Sequence, residues 1–182
     1  MKKIVAFAGS PRQYGFSNQL MNRLLDGAKA AGAEVVVYDL NADGIMGCQG
    51  CFYCRKHDTC VQQDALSPMY RDIQEACAVV AAFPLYFGRI SGQGKIWLDR
   101  MYPMFNEDFS PRYPGKKAVT IFAQAKADPA VMQDEINSVN GLMGGYGWEL
   151  VRSFLIAGTV DAEYVLVESL LEEAYQVGQQ LV

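Results

Sequence analysis

Several common kinds of protein are excluded by what this sequence does not contain. It has no broad basic field: 16 Lys and Arg stand against 20 Asp and Glu, the net charge is −4, and like charges run no longer than pairs such as Lys2-Lys3, Lys116-Lys117 and Glu172-Glu173. A nucleic-acid partner held by bulk electrostatics is therefore not expected. No apolar stretch reaches the roughly 20 residues that a membrane span needs, so no membrane partner is expected either. Repeats, low-complexity tracts and linkers are missing too, which leaves one domain over residues 1–182. Met1-Lys2-Lys3 leads directly into the apolar run Ile4–Ala8, without the longer apolar region and cleavage site of an export signal. A cytoplasmic location with reduced thiols is the expectation that follows.

Two familiar phosphate-binding patterns are also absent. After Gly9, the dinucleotide pattern G-x-G-x-x-G would need glycines where Pro11 and Tyr14 stand. The stretch from Gly88 to Lys95 is one residue too long for a nucleoside-triphosphate loop, and Ile96 replaces the hydroxyl residue that would bind magnesium.

What is present is a chain with 51% hydrophobic residues, enough for one sizeable core. Short apolar runs at Ile4–Ala8, Val35–Tyr38, Ala78–Phe83, Ala118–Ala123 and Leu150–Ile156 alternate with helical patterns near 18–31, 66–75, 92–103, 130–146 and 161–181. Continuous apolar runs read as parallel strands covered on both faces, so the fold class is α/β with an open sheet. The last helical pattern places Leu166, Leu170 and Leu171 toward the core. The irregular stretch is 41–63, a functional loop holding Gly44, Gly47, Gly50, the pair Phe52-Tyr53 and most of the cysteines.

The turn after the first run reads Gly9-Ser10-Pro11-Arg12, followed by Gly15-Phe16-Ser17-Asn18 and a helix. Small residues there let backbone N–H groups and the positive helix end converge on an anion, with Ser10, Ser17 and Asn18 adding short donors and Arg12 a forked cation. Ser17 or Asn18 could equally be an ordinary helix cap. Four of the five cysteines follow the spacing Cys48-x2-Cys51-x2-Cys54-x5-Cys60. Such thiolates suit a cubane iron-sulfur cluster, with structural zinc as the second metal option. A thiol-bearing lid without metal is the third reading. His57, the sole histidine, lies inside this loop and receives no role.

The segment 9–18, with its order Gly-Ser-Pro-Arg then Gly-Phe-Ser-Asn, resembles the FMN phosphate loop of the NAD(P)H-dependent FMN reductase superfamily. The stretch Cys48–Asp64, then Phe83-Pro84-Leu85-Tyr86-Phe87 and Lys95…Asp99-Arg100, is similar to its iron-sulfur flavoprotein-like branch. The resemblance implies a flavodoxin-like three-layer sandwich with a five-stranded parallel sheet of order 2-1-3-4-5. It implies FMN at the switch point between first and third strands. Ser10, Arg12, Phe16, Ser17 and Asn18 would hold the phosphate side; Pro84, Leu85, Tyr86, Phe87 and Gly88 would meet the ring. By topology the stretch Ala123-Gln124-Ala125-Lys126, after the fourth run, should reach the ring from across the crevice, with Gln124 as its ligand. Cys48, Cys51, Cys54 and Cys60 would ligate a [4Fe-4S] cluster if one is carried.

By the same resemblance the chain would be an oxidoreductase that takes electrons from NAD(P)H or ferredoxin. It would pass them through FMN to a small acceptor such as a quinone or flavin, working as a homodimer or homotetramer. The alternatives are a non-catalytic electron carrier of flavodoxin type and a redox sensor. Two departures from the branch stand out: Gln63-Asp64 where two acids are usual, and Cys77, read as a buried small hydrophobe, where Asp is usual. Lys95 and Asp99 read as an ordinary i, i+4 surface pair.

Overall fold

The computed structural model describes residues 1–161 and 163–182. Five parallel strands form the sheet: β1 (Lys3–Ala8), β2 (Glu34–Asp39), β3 (Ala78–Tyr86), β5 (Lys117–Ala123) and β6 (Glu149–Ile156). Their order is β2-β1-β3-β5-β6, and β4 (Arg89–Ile90) is a two-residue strand that pairs antiparallel with the end of β3. Without that short addition, this is the expected order of five. The register runs Val37–Ala6–Val80–Val119–Arg152 across the sheet, with one irregularity where Ala118 faces Leu150 but Val119 faces Arg152.

The continuous apolar runs are explained by burial on both faces. In β1, Ile4, Ala6 and Ala8 point to one core with α1 (Phe16–Ala30) and α5 (Glu168–Gln180), while Val5 and Phe7 point to the other. That second face is covered by α2 (Met69–Glu75), α3 (Gly92–Arg100) and α4 (Gln133–Gly145), with Trp97, Phe83 and Phe122 at its centre. On the first face α1 and α5 cross at backbone contact. A Cβ on Gly178 would lie 1.9 Å from the Leu24 carbonyl oxygen, and one on Gly27 2.0 Å from that of Tyr175.

Apart from α1, the helices are shorter than the sequence pattern suggests, and two of them for local reasons. The third ends at Arg100, and Pro103, which has no N–H to give, sits in a separate 3₁₀ turn over Tyr102–Met104. The last begins only at Glu168. Before it, Val165 and Val167, β-branched and exposed, lie outside any helix, while Leu166, Leu170 and Leu171 pack on the core as expected. Residue 162 of that predicted helix lies outside the described residues. Tyr164 meets Phe16 edge-on at 4.9 Å, which lays the segment after β6 beside the start of α1. Cys77 is half-buried rather than fully buried, its thiol near the carbonyls of Lys3 and Leu181. Among the described residues no helix is long and apolar enough to cross a membrane.

Candidate cofactor site and the cysteine loop

The β1–α1 turn is built as a cradle. Gly9 donates its N–H to the carbonyl of Ala82 at 2.8 Å, and its own carbonyl accepts from Ser91 Oγ at 2.7 Å, so β3 and the start of α3 fix its position. Ser91 also caps α3 by accepting from Gly94 N at 3.2 Å. Inside the turn, Ser10 Oγ accepts from Arg12 N (3.2 Å), and the Arg12 carbonyl accepts from Gly15 N (2.9 Å) and Asn18 Nδ2 (3.1 Å). The N-cap of α1 is Gly15, with no side chain to offer, so neither Ser17 nor Asn18 is the cap. The first-turn N–H groups of α1 therefore remain available to an anion. A Cβ at Gly15 would lie 2.6 Å from Ser10 Oγ, so the cradle keeps its shape only with glycine there.

The cradle opens into a cleft of about 320 Å³ at the carboxyl ends of the strands. Ser10, Arg12, Gly15, Phe16 and Ser17 form one wall; Pro84, Leu85 and Tyr86 of β3 form another; Ala123, Ala125, Thr159 and Val160 close it from the β5 and β6 side. This is the switch point of the sheet, where β1 and β3 lie side by side and their following connections diverge. Two buried side-chain oxygens near the strand ends, Asn18 Oδ1 and Gln124 Oε1, have no hydrogen-bond partner, but neither residue lines the cleft. A helix start whose first-turn N–H groups are uncapped, opening on an apolar slot, fits a phosphorylated aromatic cofactor such as FMN.

Beyond the cleft, β3 turns back through Phe87 and Gly88, both at positive φ (50° and 82°), to pair Tyr86 with Arg89 and Leu85 with Ile90. Glu135 of α4 fastens this hairpin, accepting from Ile90 N at 3.0 Å and Arg89 Nη1 at 3.1 Å.

The cysteine loop has fixed ends. Arg100, its side chain wholly buried, donates to Asp64 Oδ2 (2.6 Å) and Oδ1 (3.2 Å), to the Met46 carbonyl (2.9 Å) and to Tyr70 Oη (3.3 Å). One guanidinium thus ties the residues flanking Cys48 and Cys60 to the end of α3. Burial alone would raise the Asp64 pKa; the Arg100 hydrogen bonds and the Leu66 N–H outweigh it and hold the carboxyl below its usual range. Cys48 and Cys51 are exposed, Cys54 and Cys60 half-buried, and all are free thiols. Burial pushes the Cys54 thiol up, and the neighbouring Cys60, Cys48 and Cys51 add to the effect. The donors suit a thiophilic centre in number and softness, yet among the described residues no three His, Cys, Asp or Glu groups converge as a ready metal cage. His57 stacks on Tyr53 at 3.9 Å, and Arg55 lies 4.9 Å over Phe109 while donating to the Glu107 carbonyl.

Residues 2–139 match the family model described as NADPH-dependent FMN reductase. The chain belongs to this family. An Archaeoglobus fulgidus protein named iron-sulfur flavoprotein is 34% identical over 101 residues, 56% of this chain and 46% of the relative. A second from the same organism and under the same name is 27% identical over 195 residues, covering 94% and 95% of the two chains. The chain spans about half the length of most curated relatives it matches. Among solved structures, an NAD(P)H:quinone oxidoreductase from Methanothermobacter marburgensis superposes with a TM-score of 0.78 at 17% identity, over 100% of this chain and 99% of that one. The flavodoxin-like fold and an FMN-dependent oxidoreductase family are thus the ones the sequence pointed to.

Of the residues the sequence singled out, Ser10, Arg12, Phe16, Ser17, Pro84, Leu85 and Tyr86 line one cleft. Asn18 stands on the far side of the turn, lining a second hollow with Asp39. Phe87 projects beyond the cleft and Gly88 turns away with it. Gln124, 1% exposed, is turned into its own loop: Nε2 donates to the carbonyls of Lys126 (3.0 Å) and Asp128 (2.7 Å), and its carbonyl accepts from Thr159. Ala123 and Ala125, on the stretch aimed at the crevice by topology, line the cleft; Thr159 and Val160 were not expected, and their only signal in the sequence is position just past a strand end.

Proposed function

We propose that this chain is an FMN-containing oxidoreductase that accepts electrons from NAD(P)H or reduced ferredoxin and delivers them to a small acceptor such as a quinone or a free flavin. The observation that carries the reading is the cradle cleft, in which an anion site at the start of α1 meets an apolar slot formed by the end of β3. Bound FMN supplies one- and two-electron redox chemistry. The chain's own residues do the rest. Ser10, Ser17 and the first-turn N–H groups of α1 bind the phosphate, and Arg12, exposed beside them, closes over it. Pro84, Leu85 and Tyr86 orient the ring and exclude water from one side, while Thr159 and Val160 bound the other. No side chain in the cleft is placed as a general acid or base.

A second element rests on the cysteine loop. Cys48, Cys51, Cys54 and Cys60 are proposed as the ligand set for an iron-sulfur cluster. Support comes from four thiols within one loop whose two ends share a single buried anchor, and from the names of the relatives. Among the described residues no three of these groups converge, so the loop would have to turn its thiols inward to carry a cluster. Homo-oligomer formation belongs to the same proposal.

The test is an absorption spectrum of anaerobically purified protein, with iron, sulfide and zinc measured on the same sample. Flavin bands with iron and sulfide support both elements. Flavin without iron keeps the reductase and leaves the thiols as a lid. A flavin-loaded protein that oxidises neither NADH nor NADPH with any acceptor would be an electron carrier instead.

A further inference from the structure

We propose that the hollow on the far side of the β1–α1 turn binds the ribose of a nucleoside through its free 2′- and 3′-hydroxyls, with Asp39 as the residue that admits the diol and rejects a 2′-phosphate. This site lies outside the flavin cleft. Its binding chemistry stands without the FMN reading; only the identity of the nucleoside as one half of the electron donor rests on that reading.

The hollow has a volume of about 320 Å³ and lies between the start of α1 and the carboxyl end of β2, with room for one nucleoside. Its single charged residue is Asp39, the last residue of β2. Asp39 Oδ1 accepts from Asn41 N at 2.9 Å, a local turn that holds the carboxylate in place. The residue is exposed and forms no ion pair among the described residues. Around it stand the amides of Gln13, Asn18 and Asn22, while Met21 and Val37 supply apolar surface. Asn18 is 7% exposed; its Nδ2 is spent on the Arg12 carbonyl at 3.1 Å, and its Oδ1 has no partner. A buried acceptor left in that state costs free energy until a donor reaches it.

These groups select a ligand rich in hydroxyl donors. An ionised carboxylate only accepts hydrogen bonds, and its two oxygens suit two adjacent hydroxyls. Amides both give and accept, which matches the ring oxygen of a ribose and the nitrogens of a base, and the apolar side chains suit the flat face of that base. One carboxylate among neutral amides is too little for a metal ion. An acid at the end of the second strand, beside the turn after the first, is also where doubly wound dinucleotide folds hold a ribose 2′-hydroxyl. The glycine pattern of those folds is absent here, and the position of the acid alone is shared. A 2′-phosphate would meet the like charge of Asp39. No Lys or Arg lines the hollow to offset it, and Arg12 lines the flavin cleft on the other side of the turn. Ser10 lines both hollows, so a donor with its ribose here and its reactive ring at the flavin would cross this one turn.

The experiment titrates flavin-loaded protein with adenosine, 2′-deoxyadenosine and adenosine 2′-monophosphate by calorimetry. Adenosine should bind about 2–10-fold tighter than 2′-deoxyadenosine, the range of one lost hydrogen bond. Over the 2′-monophosphate its preference should be about 5–20-fold, because charge repulsion adds to the lost bond. Asp39→Asn keeps an oxygen for Asn41 N, so its Tm should stay unchanged, while adenosine and its 2′-monophosphate should bind it alike. A residue with a merely structural role would not move that ratio. Stopped-flow reduction of the flavin then separates two sources of the nucleoside. An NADH dissociation constant raised about 2–10-fold in Asp39→Asn, with the limiting rate kept, identifies the adenosine half of the donor. Unchanged reduction by NADH, with adenosine binding weakened, identifies a free nucleoside effector.

Wild-type protein that binds adenosine and its 2′-monophosphate equally, or binds neither, would overturn the site, and this series needs no variant to fold. Full discrimination retained in Asp39→Asn would overturn the role of Asp39. Protein that takes up no flavin, seen in its absorption spectrum, would instead overturn the cofactor reading, and the adenosine series on that flavin-free chain would still decide the diol site.

Discussion

Replacing Asp64 with Asn leaves the Arg100 guanidinium in the interior without its counter-charge, since the two side chains are 0% and 8% exposed. Removing one partner of such a buried pair costs about 3–5 kcal/mol. In a domain of this size each kcal/mol lowers Tm by about 2–4 °C, so the melting point should fall by roughly 6–20 °C. Urea titration followed through the buried Trp97 reports the same loss as a lower midpoint with unchanged slope. Exchanging both partners for apolar residues, Asp64→Leu with Arg100→Met, removes the stranded charge and should recover most of the stability. The deficit left, about 1 kcal/mol for each, comes from the Met46 carbonyl that loses its donor and the Leu66 N–H that loses its acceptor. Because Arg100 ties both ends of the cysteine loop, Asp64→Asn should also open residues 47–63 to proteolysis before global unfolding.

The pH dependence follows from the depressed Asp64 pKa. Its contribution is complete above the ordinary carboxylate pKa of about 4 and fades as pH drops through the lower folded value. Wild-type stability should therefore decline in that acid window, and Asp64→Asn should lack this component. A single variant that costs under about 1 kcal/mol, or a double variant worse than either single, would refute the clamp.

Gly178→Ala places a methyl 1.9 Å from the Leu24 carbonyl oxygen and must push α1 and α5 apart; denaturant titration should show a loss of about 3 kcal/mol. Gly15→Ala crowds Ser10 Oγ and displaces one cradle hydrogen bond to charge, worth about 1.5–3 kcal/mol, so FMN affinity should drop roughly 10–150-fold by fluorescence titration with little change in Tm. Replacing Cys51 with Ser should lower the iron content of anaerobic protein while the flavin content is retained, because the thiols and the cleft are separate structures.

The parts legible in the sequence are those where one short segment settles its own environment. Ile4–Ala8 reads as a central strand because consecutive residues must satisfy two cores, and they do. The Gly9–Asn18 turn carries its chemistry in adjacent residues. Lys95 and Asp99 form the expected surface pair at 2.6 Å. Arg100, one residue on, looks equally ordinary in the sequence, but its partner Asp64 is 36 residues away and only the fold joins them. Gln124 follows the fourth run, where topology aims at the crevice, but it does not line the cleft: its amide donates to the carbonyls of Lys126 and Asp128, a local competition that no pattern announces. The hairpin at Phe87-Gly88 was hidden because it lacks the Asn-Gly signature of its turn.

The central claim is that the turn after β1 holds the phosphate of FMN. Titrating the flavin-free protein with FMN and with riboflavin, which lacks only that phosphate, tests it most directly. Two charge-assisted hydrogen bonds at about 1.5 kcal/mol each predict FMN tighter than riboflavin by roughly 100-fold. The gap should narrow in Arg12→Ala. Equal affinity for the two flavins, or uptake of neither, would contradict the account.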